Sequence, residues 1–451
     1  MSTRVADAAR LRAALAIQPN DRVSWHNLAA AEGDLGRAPE AESAARRAIA
    51  LGIPAPETRL VLARALQSLR RLDEAENMFE KAIALRPAYA DAHRDLAQLI
   101  WMRTGRIEDA LKKLSRALRA APAQSDLHAV HSSVLEYAGD AVGALAAAER
   151  GLAHAPKDVA LLRQTAHLCI LAGDSAKALP LSMRAEQLAP NDASAQISVC
   201  ESLLASGRPQ DAEAKAAALC SALPTHQYAL ALRATAWRLL GDSRYAALHD
   251  YAALVAQQQL DVPDGFEDLN SFLSVLSDEL QSLHSFHTHP FFQSVRGGSQ
   301  LTLQADELSR PLIAKLFYAI SLAVQRYIDT LGTGNDPVRT RNVGHAVLSG
   351  AWSVRLRSGG HHADHVHPHG WISSACYIAL PSAIGDGQNG RAGWLRLGRP
   401  ALPTQPLLEA DHFVQPKLGR LVLFPAYMWH GVEPFESDQP RLSVAFDVVP
   451  A

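Results

Sequence analysis

Five prolines keep step along the first half of this sequence: Pro87, Pro122, Pro156, Pro190 and Pro224, separated by 35, 34, 34 and 34 residues. Twelve residues ahead of each stands a small one: Ala75, Ala110, Ala144, Ala178 and Ala212. A second small or apolar position follows in phase, at Ala82, Ala117, Gly151, Ala185 and Leu219. A period of this length is one supersecondary unit, and small residues at fixed phase let two helices approach closely. A lone helix pair cannot bury its apolar face, so a fixed period dictates stacking of neighbours into an array. Unrelated amphipathic helices would not hold one phase through five prolines.

The helix-starting halves read Trp25-His26-Asn27-Leu28-Ala29, Val61-Leu62-Ala63 and Asp95-Leu96-Ala97. Period and pattern together resemble the tetratricopeptide repeat, antiparallel helix pairs stacked into a superhelix. The likeness runs over residues 5–255, as about seven units with a half unit at the start. It implies a concave groove lined by the first helix of each pair, used to hold a peptide or protein segment. Groove candidates, one per unit, are His26, Leu60, Arg94, Ala129, Arg163 and Ile197. Their mixed charge names no ligand. Docking of another domain or subunit is the alternative use, which leaves a homo-oligomer open.

Composition excludes several classes. A net charge of -2 sets up no field that would draw the chain to nucleic acid or acidic lipid. The arginines are spread along helices rather than clustered. No apolar run approaches the ~20 residues of a membrane span, and the segment MSTRVADAARLRAALAIQPN predicts a short amphipathic helix without a signal core. The four cysteines, Cys169, Cys200, Cys220 and Cys376, form no CxxC pair. Three fall on predicted helices, which fits small core residues in a reduced, cytoplasmic setting.

The 451 residues predict two or more domains. The helical pattern breaks at Gln257-Gln258-Gln259 and Pro263-Asp264-Gly265. Residues 266–285 and 308–331 read as helices, the second ended by Gly332 and Gly334. Past residue 345 the pattern turns to short β-branched and apolar runs: Ala351–Arg357, Ile372–Leu380, Gly393–Leu397, Leu418–Phe424 and Arg441–Val449. Such runs favour a sandwich or jelly roll, with the two helices buttressing one face. The expected fold is multidomain α + β: an all-α solenoid over 1–256, a helical linker and buttress over 257–340, and a jelly-roll core, a double-stranded β-helix, over 341–451.

Chemistry concentrates in that last part. His365-Val366-His367 places two imidazoles at i and i+2, on one side of an extended segment. A third, His430, lies 63 residues beyond His367, and Arg441-Leu442-Ser443 begins eleven residues after it. Three imidazoles on one face of an ion leave its other positions open, as oxygen chemistry on iron requires. An arginine two residues before a serine can hold a carboxylate through a fork and a hydroxyl.

The stretch from His365 through Pro368, Gly370-Trp371 and Ser373-Ser374 to Pro381 resembles the core of the iron(II)/2-oxoglutarate-dependent oxygenases. So do Gly419–Pro425, Trp429-His430-Gly431-Val432 and Arg441–Asp447. The likeness covers residues 260–451 and is nearest the branch in which tetratricopeptide repeats precede the domain, a branch that Arg296-Gly297-Gly298-Ser299-Gln300 also matches. It implies iron(II) in the mouth of a jelly roll, chelated by 2-oxoglutarate, whose far carboxylate rests on Arg441 and Ser443. Oxygen is the third reactant, and a C–H bond is hydroxylated. Tyr377 is a further contact for 2-oxoglutarate and Arg355 a weaker one. Beyond the metal ligands no separate catalytic residue is expected.

In one respect the sequence departs from that family. The usual triad is two histidines and a carboxylate, written HxD…H, and the matching tripeptide here carries none. His362-Ala363-Asp364 has the right letters three residues earlier. On one regular strand the two sets exclude each other, 362 and 364 facing one way, 365 and 367 the other. The flanking His-Pro-x-Gly-Trp favours His365, His367 and His430, with Asp364 orienting a ligand histidine. His362 and Asp364 with His430 are the alternative. His361, His362 and His369 then read as surface or outer groups, and Trp371, Trp394 and Trp429 as packing at the mouth. The functional expectation is a dioxygenase hydroxylating a protein or peptide side chain captured by the repeats. A small-molecule hydroxylase, or a repeat scaffold with a degenerate jelly roll, are the rivals.

Overall fold

The computed structural model describes residues 2–388 and 390–451; Met1, the first residue of the expected N-terminal helix, lies outside them. The chain divides into two compact units, residues 1–155 and 156–451. The first is all helical. After Ser2–Ile17 come the pairs Arg22–Asp34 with Ala38–Ala50, Pro56–Ser68 with Leu72–Leu85, Ala90–Thr104 with Ile107–Ala120, and Ser125–Tyr137 with Ala141–His154. The in-phase small residues do what their size allows: Ala75, Ala82, Ala110 and Ala144 are fully or almost fully buried between helices. One turn breaks a local rule, since Arg70 adopts φ +60 where Gly36 and Gly105 serve the neighbouring pairs. Of the groove candidates in this unit, Leu60 is buried in the helix packing instead.

The second unit begins with the same architecture. Val159–Leu171 pairs with Ser175–Leu188, Ala193–Ala205 with Pro209–Ala222, and Gln227–Leu240 follows. Asp158, Asp174 and Asp192 each accept a hydrogen bond from a first-turn backbone N–H, which satisfies an otherwise orphaned donor.

The strands of the same unit, among the described residues, are β1 (Ala256–Gln259), β2 (Val295–Thr302), β3 (Ala346–His365), β4 (Ile372–Ala379), β5 (Leu395–Leu397), β6 (His412–Val414), β7 (Arg420–Pro425), β8 (His430–Val432) and β9 (Arg441–Pro450). They form one antiparallel sheet, ordered β1-β7-β4-β9-β3-β8-β5-β6, with β2 also on β3. This is the curled, jelly-roll-type sheet that the strand pattern predicts. Four strands escaped the sequence pattern: β1, β2, β6 and β8. The glutamine run expected as a break is β1, an edge strand whose partner β7 supplies what its composition lacks.

Strand β3 organises the domain. Over Ala346–Leu356 it pairs with β9, then over His362–His365 with β8. The mouth of the sheet lies where it passes from one partner to the other. Helices Leu269–Leu283 and Pro311–Leu331 cover one face, packing Phe272, Leu276, Ile313 and Leu316 against Leu421, Leu423 and Phe446. Trp237 of the last repeat helix belongs to the same core. Three buried donors tie the helices around residues 235–254 to the rest of the domain: Tyr427 Oη to Leu248 O at 2.8 Å and Trp429 Nε1 to Thr235 Oγ1 at 3.0 Å from the β7–β8 turn, and Tyr327 Oη to Leu254 O at 2.8 Å from helix Pro311–Leu331. Each contributes about 1 kcal/mol net, and more would be lost by stranding a buried partner.

Candidate metal and co-substrate site

His365 and His430 are direct partners across β3 and β8. Their ring centroids are 4.1 Å apart, and His367 closes the group at 5.1 Å from His365 and 5.2 Å from His430. One nitrogen from each of the three lies within 4.8 Å of the others.

The proton positions follow from the partners. His365 Nδ1 faces the carbonyl of Ala363 at 2.9 Å, and His430 Nδ1 that of Met428 at 2.9 Å. His367 Nδ1 faces the Asp447 carboxylate. A carbonyl or carboxylate oxygen accepts, so each Nδ1 carries a proton and each Nε2 is turned toward the others. His365 Nε2 and His367 Nε2 stand 3.2 Å apart. Burial pushes His365 down to about 3, and burial followed by its histidine neighbours holds His430 well below its ordinary value. Three imidazoles whose Nε2 atoms converge, each oriented by an acceptor behind its Nδ1, are a donor set that fits a divalent transition metal.

The structure separates the two registers. His362 pairs with Val432 and His365 with His430, so the pairing of β3 with β8 shifts register between them. This bulge breaks the expected alternation and puts His362 on the face of His365, their rings stacked at 6.1 Å and 18°. His362 Nδ1 meets Ser294 Oγ at 2.9 Å, and burial lowers its pKa well below the ordinary value. Asp364 points elsewhere. Its carboxylate accepts from Arg396 Nε at 2.8 Å, Arg396 Nη2 at 3.0 Å and Arg399 Nε at 2.7 Å. It occupies the space where a side chain on Gly431 would sit, since a Cβ there would lie 2.6 Å from Oδ1. The outer role expected for Asp364, orienting a histidine, is not the one it has. Asp447 stands behind His367 instead.

The expected co-substrate residues gather beside the cluster on β9 and β4. Ser443 pairs across to Tyr377. Arg441 is 1% exposed, its Nη1 3.4 Å from Ser443 Oγ and its guanidinium 5.0 Å from the centre of the Tyr377 ring. The Tyr377 hydroxyl and Arg441 Nε are buried and complete no hydrogen bond of good geometry. Neither Asp447 nor Glu436 serves Arg441: Asp447 takes His367 and Ser373, and Glu436 takes Ser358. Among the described residues no carboxylate pairs with Arg441. A buried cation with idle donors, next to an idle hydroxyl, fits the far carboxylate of 2-oxoglutarate. Arg355 bonds the His284 carbonyl at 3.3 Å, and its Nε is likewise buried without a partner. The tryptophans pack as expected: Trp371 donates to Val338 O at 2.9 Å and Trp394 to Gly385 O at 2.6 Å.

Beyond the histidines, the first helices of the last repeats face the turn that follows His367. Arg163, Ile197, Ser198, Glu201 and His226 line a cavity of about 580 Å³ together with Pro368 and His369. Gln227 N donates to Pro368 O at 2.9 Å, which holds helix and turn together.

Residues 350–447 match the family described as "Putative 2OG-Fe(II) oxygenase", and residues 60–125 match the tetratricopeptide repeat. No curated protein matches the chain. Among solved structures, a thermophilic tetratricopeptide-repeat protein of Thermus thermophilus is similar at 23% identity, covering 41% of this chain and 99% of its own, with a TM-score of 0.33. A tetratricopeptide-repeat protein from Parabacteroides merdae is similar at 15% identity, covering 52% of this chain and 92% of its own, with a TM-score of 0.38. None of the described helices is long and apolar enough to cross a membrane. The chain joins a region that matches the tetratricopeptide repeat to a C-terminal domain that matches the family described as "Putative 2OG-Fe(II) oxygenase".

Proposed function

We propose that residues 257–451 form an iron(II)- and 2-oxoglutarate-dependent dioxygenase that hydroxylates a side chain of a protein or peptide held by the repeats. One observation carries the reading: three ring nitrogens converge at His365, His367 and His430 beside Arg441, a buried cation without a carboxylate. A scaffold would gain stability by replacing such a group with an apolar one.

The three imidazoles hold the metal by their Nε2 atoms. Arg441 and Ser443 fix the far carboxylate of 2-oxoglutarate, and the Tyr377 hydroxyl donates a further hydrogen bond to it. Phe424, 4.7 Å from the His430 ring, and Trp352, 6.1 Å from His367, keep water from the faces of the rings. Bound there, iron(II) would bring oxygen to the site and couple conversion of 2-oxoglutarate to succinate and carbon dioxide with insertion of one oxygen atom into a C–H bond.

A polypeptide substrate is favoured over a small metabolite because the repeat-lined cavity reaches Pro368 and His369, next to His367. The test is the visible spectrum of the full-length protein with iron(II) and 2-oxoglutarate, without oxygen. A weak charge-transfer band that is lost in Arg441→Ala supports the reading. No band and no bound iron would leave a repeat scaffold.

A further inference from the structure

Asp447 is an unusual carboxylate. It lies on β9, with a side chain only 10% exposed. One oxygen accepts from His367 Nδ1 and the other from Ser373 Oγ at 2.8 Å, Ser373 being its register partner on β4. Among the described residues no arginine or lysine forms an ion pair with it, and His367 is the group its carboxylate faces. Asp364 is the contrast: two arginines already neutralise it.

The histidine cluster has the complementary deficit. Three neutral ligands offer a divalent ion no negative charge, whereas the usual triad includes a carboxylate. A cation among the Nε2 atoms would lie one imidazole away from the Asp447 carboxylate.

On the metal-site reading above, we infer that Asp447 is a positioning residue that supplies the centre's missing negative charge through His367. It fixes the ring so that Nε2 faces the ion, and polarises the imidazole toward stronger donation. The carboxylate of the ordinary triad has in effect moved outward by one imidazole.

The test uses the full-length protein, titrated anaerobically with iron(II) against a chelator, then with 2-oxoglutarate. Asp447→Asn keeps the size and an acceptor for Nδ1–H but removes the charge. Iron affinity is expected to fall about 10- to 100-fold. The charge-transfer band should move to higher energy, because a less electron-rich iron releases charge less readily. The melting temperature of the metal-free protein should change little, since asparagine keeps the volume and can bond both His367 and Ser373. Affinity within about twofold of wild type, with an unmoved band, overturns the inference while leaving the metal site intact. Wild-type protein that binds no iron overturns both. Should Asp447→Asn not fold, Ser373→Ala reports instead. Freeing one carboxylate oxygen should cost about three- to tenfold in affinity, and an unchanged value overturns the assignment.

Discussion

His365 Nε2 and His367 Nε2 lie 3.2 Å apart. Their other nitrogens are committed to Ala363 and Asp447, so neither ring can turn away without breaking a hydrogen bond. The fold holds the two nitrogens facing one another, and a cation between them would take both as ligands.

Metal should therefore stabilise the protein. At a free metal concentration about 100 times the dissociation constant, linkage contributes about 2.7 kcal/mol, a rise of several degrees in the thermal midpoint of a domain this size. Calorimetry of the metal-free protein with and without iron(II), under nitrogen, measures it. His365→Ala should lose the shift.

Asp364→Asn distinguishes the two registers from each other. Removing its charge leaves Arg396, whose side chain is 3% exposed, with Glu433 at 3.3 Å as its remaining carboxylate, and should destabilise the protein by roughly 2 kcal/mol. Iron affinity of the folded variant should stay near wild type. A loss as large as that of His365→Ala would restore the His362/Asp364 register.

Arg441→Met should separate stability from binding. The metal-free protein should be as stable as wild type or more so, since a buried unpaired guanidinium is replaced by apolar volume. Affinity for 2-oxoglutarate should drop at least about 100-fold, roughly the 3 kcal/mol of a charge-assisted pair. Isothermal titration with 2-oxoglutarate, alongside thermal melts, reads both.

Acid should weaken the second unit through His249, which is packed against Tyr245, Tyr251 and Tyr427. Burial pushes its pKa down to about 4, from 6.5 when exposed. Between those values the unfolded chain binds a proton that the folded one does not, so stability falls as pH falls from 6.5 to 4 and levels off below. The loss is on the order of 2 kcal/mol at about pH 5. Denaturant melts across that range should be flatter for His249→Phe by that amount.

Ile197→Arg places a long cation in the repeat-lined cavity. It should raise KM for a polypeptide substrate tenfold or more and leave substrate-free turnover of 2-oxoglutarate unchanged. An unaltered KM would favour the small-molecule reading.

The repeats were legible because the information is local and periodic. Ala75, Ala144 and Ala178 are buried for the reason their phase implies, close helix approach. Strands rich in apolar residues, such as β4 and β7, were legible too. Strands β1 and β8, which were not, are four and three residues long and exist through their partners. His430 could be placed by order, though not as the cross-strand neighbour of His365.

The order of His365, His367, His430, Arg441 and Ser443 is a property of the sequence alone, and so is the i, i+2 spacing that lets two imidazoles share a side. What Asp364 and Asp447 do is not. Each is a carboxylate in a strand-like stretch, and spacing offers both to the histidines. A bulge in β3 turns Asp364 to Arg396 and Arg399, more than thirty residues away, while β4–β9 pairing sets Asp447 behind His367, eighty residues upstream. Such partners depend on register between distant strands, which backbone hydrogen bonding and core packing select together, and no local pattern carries it.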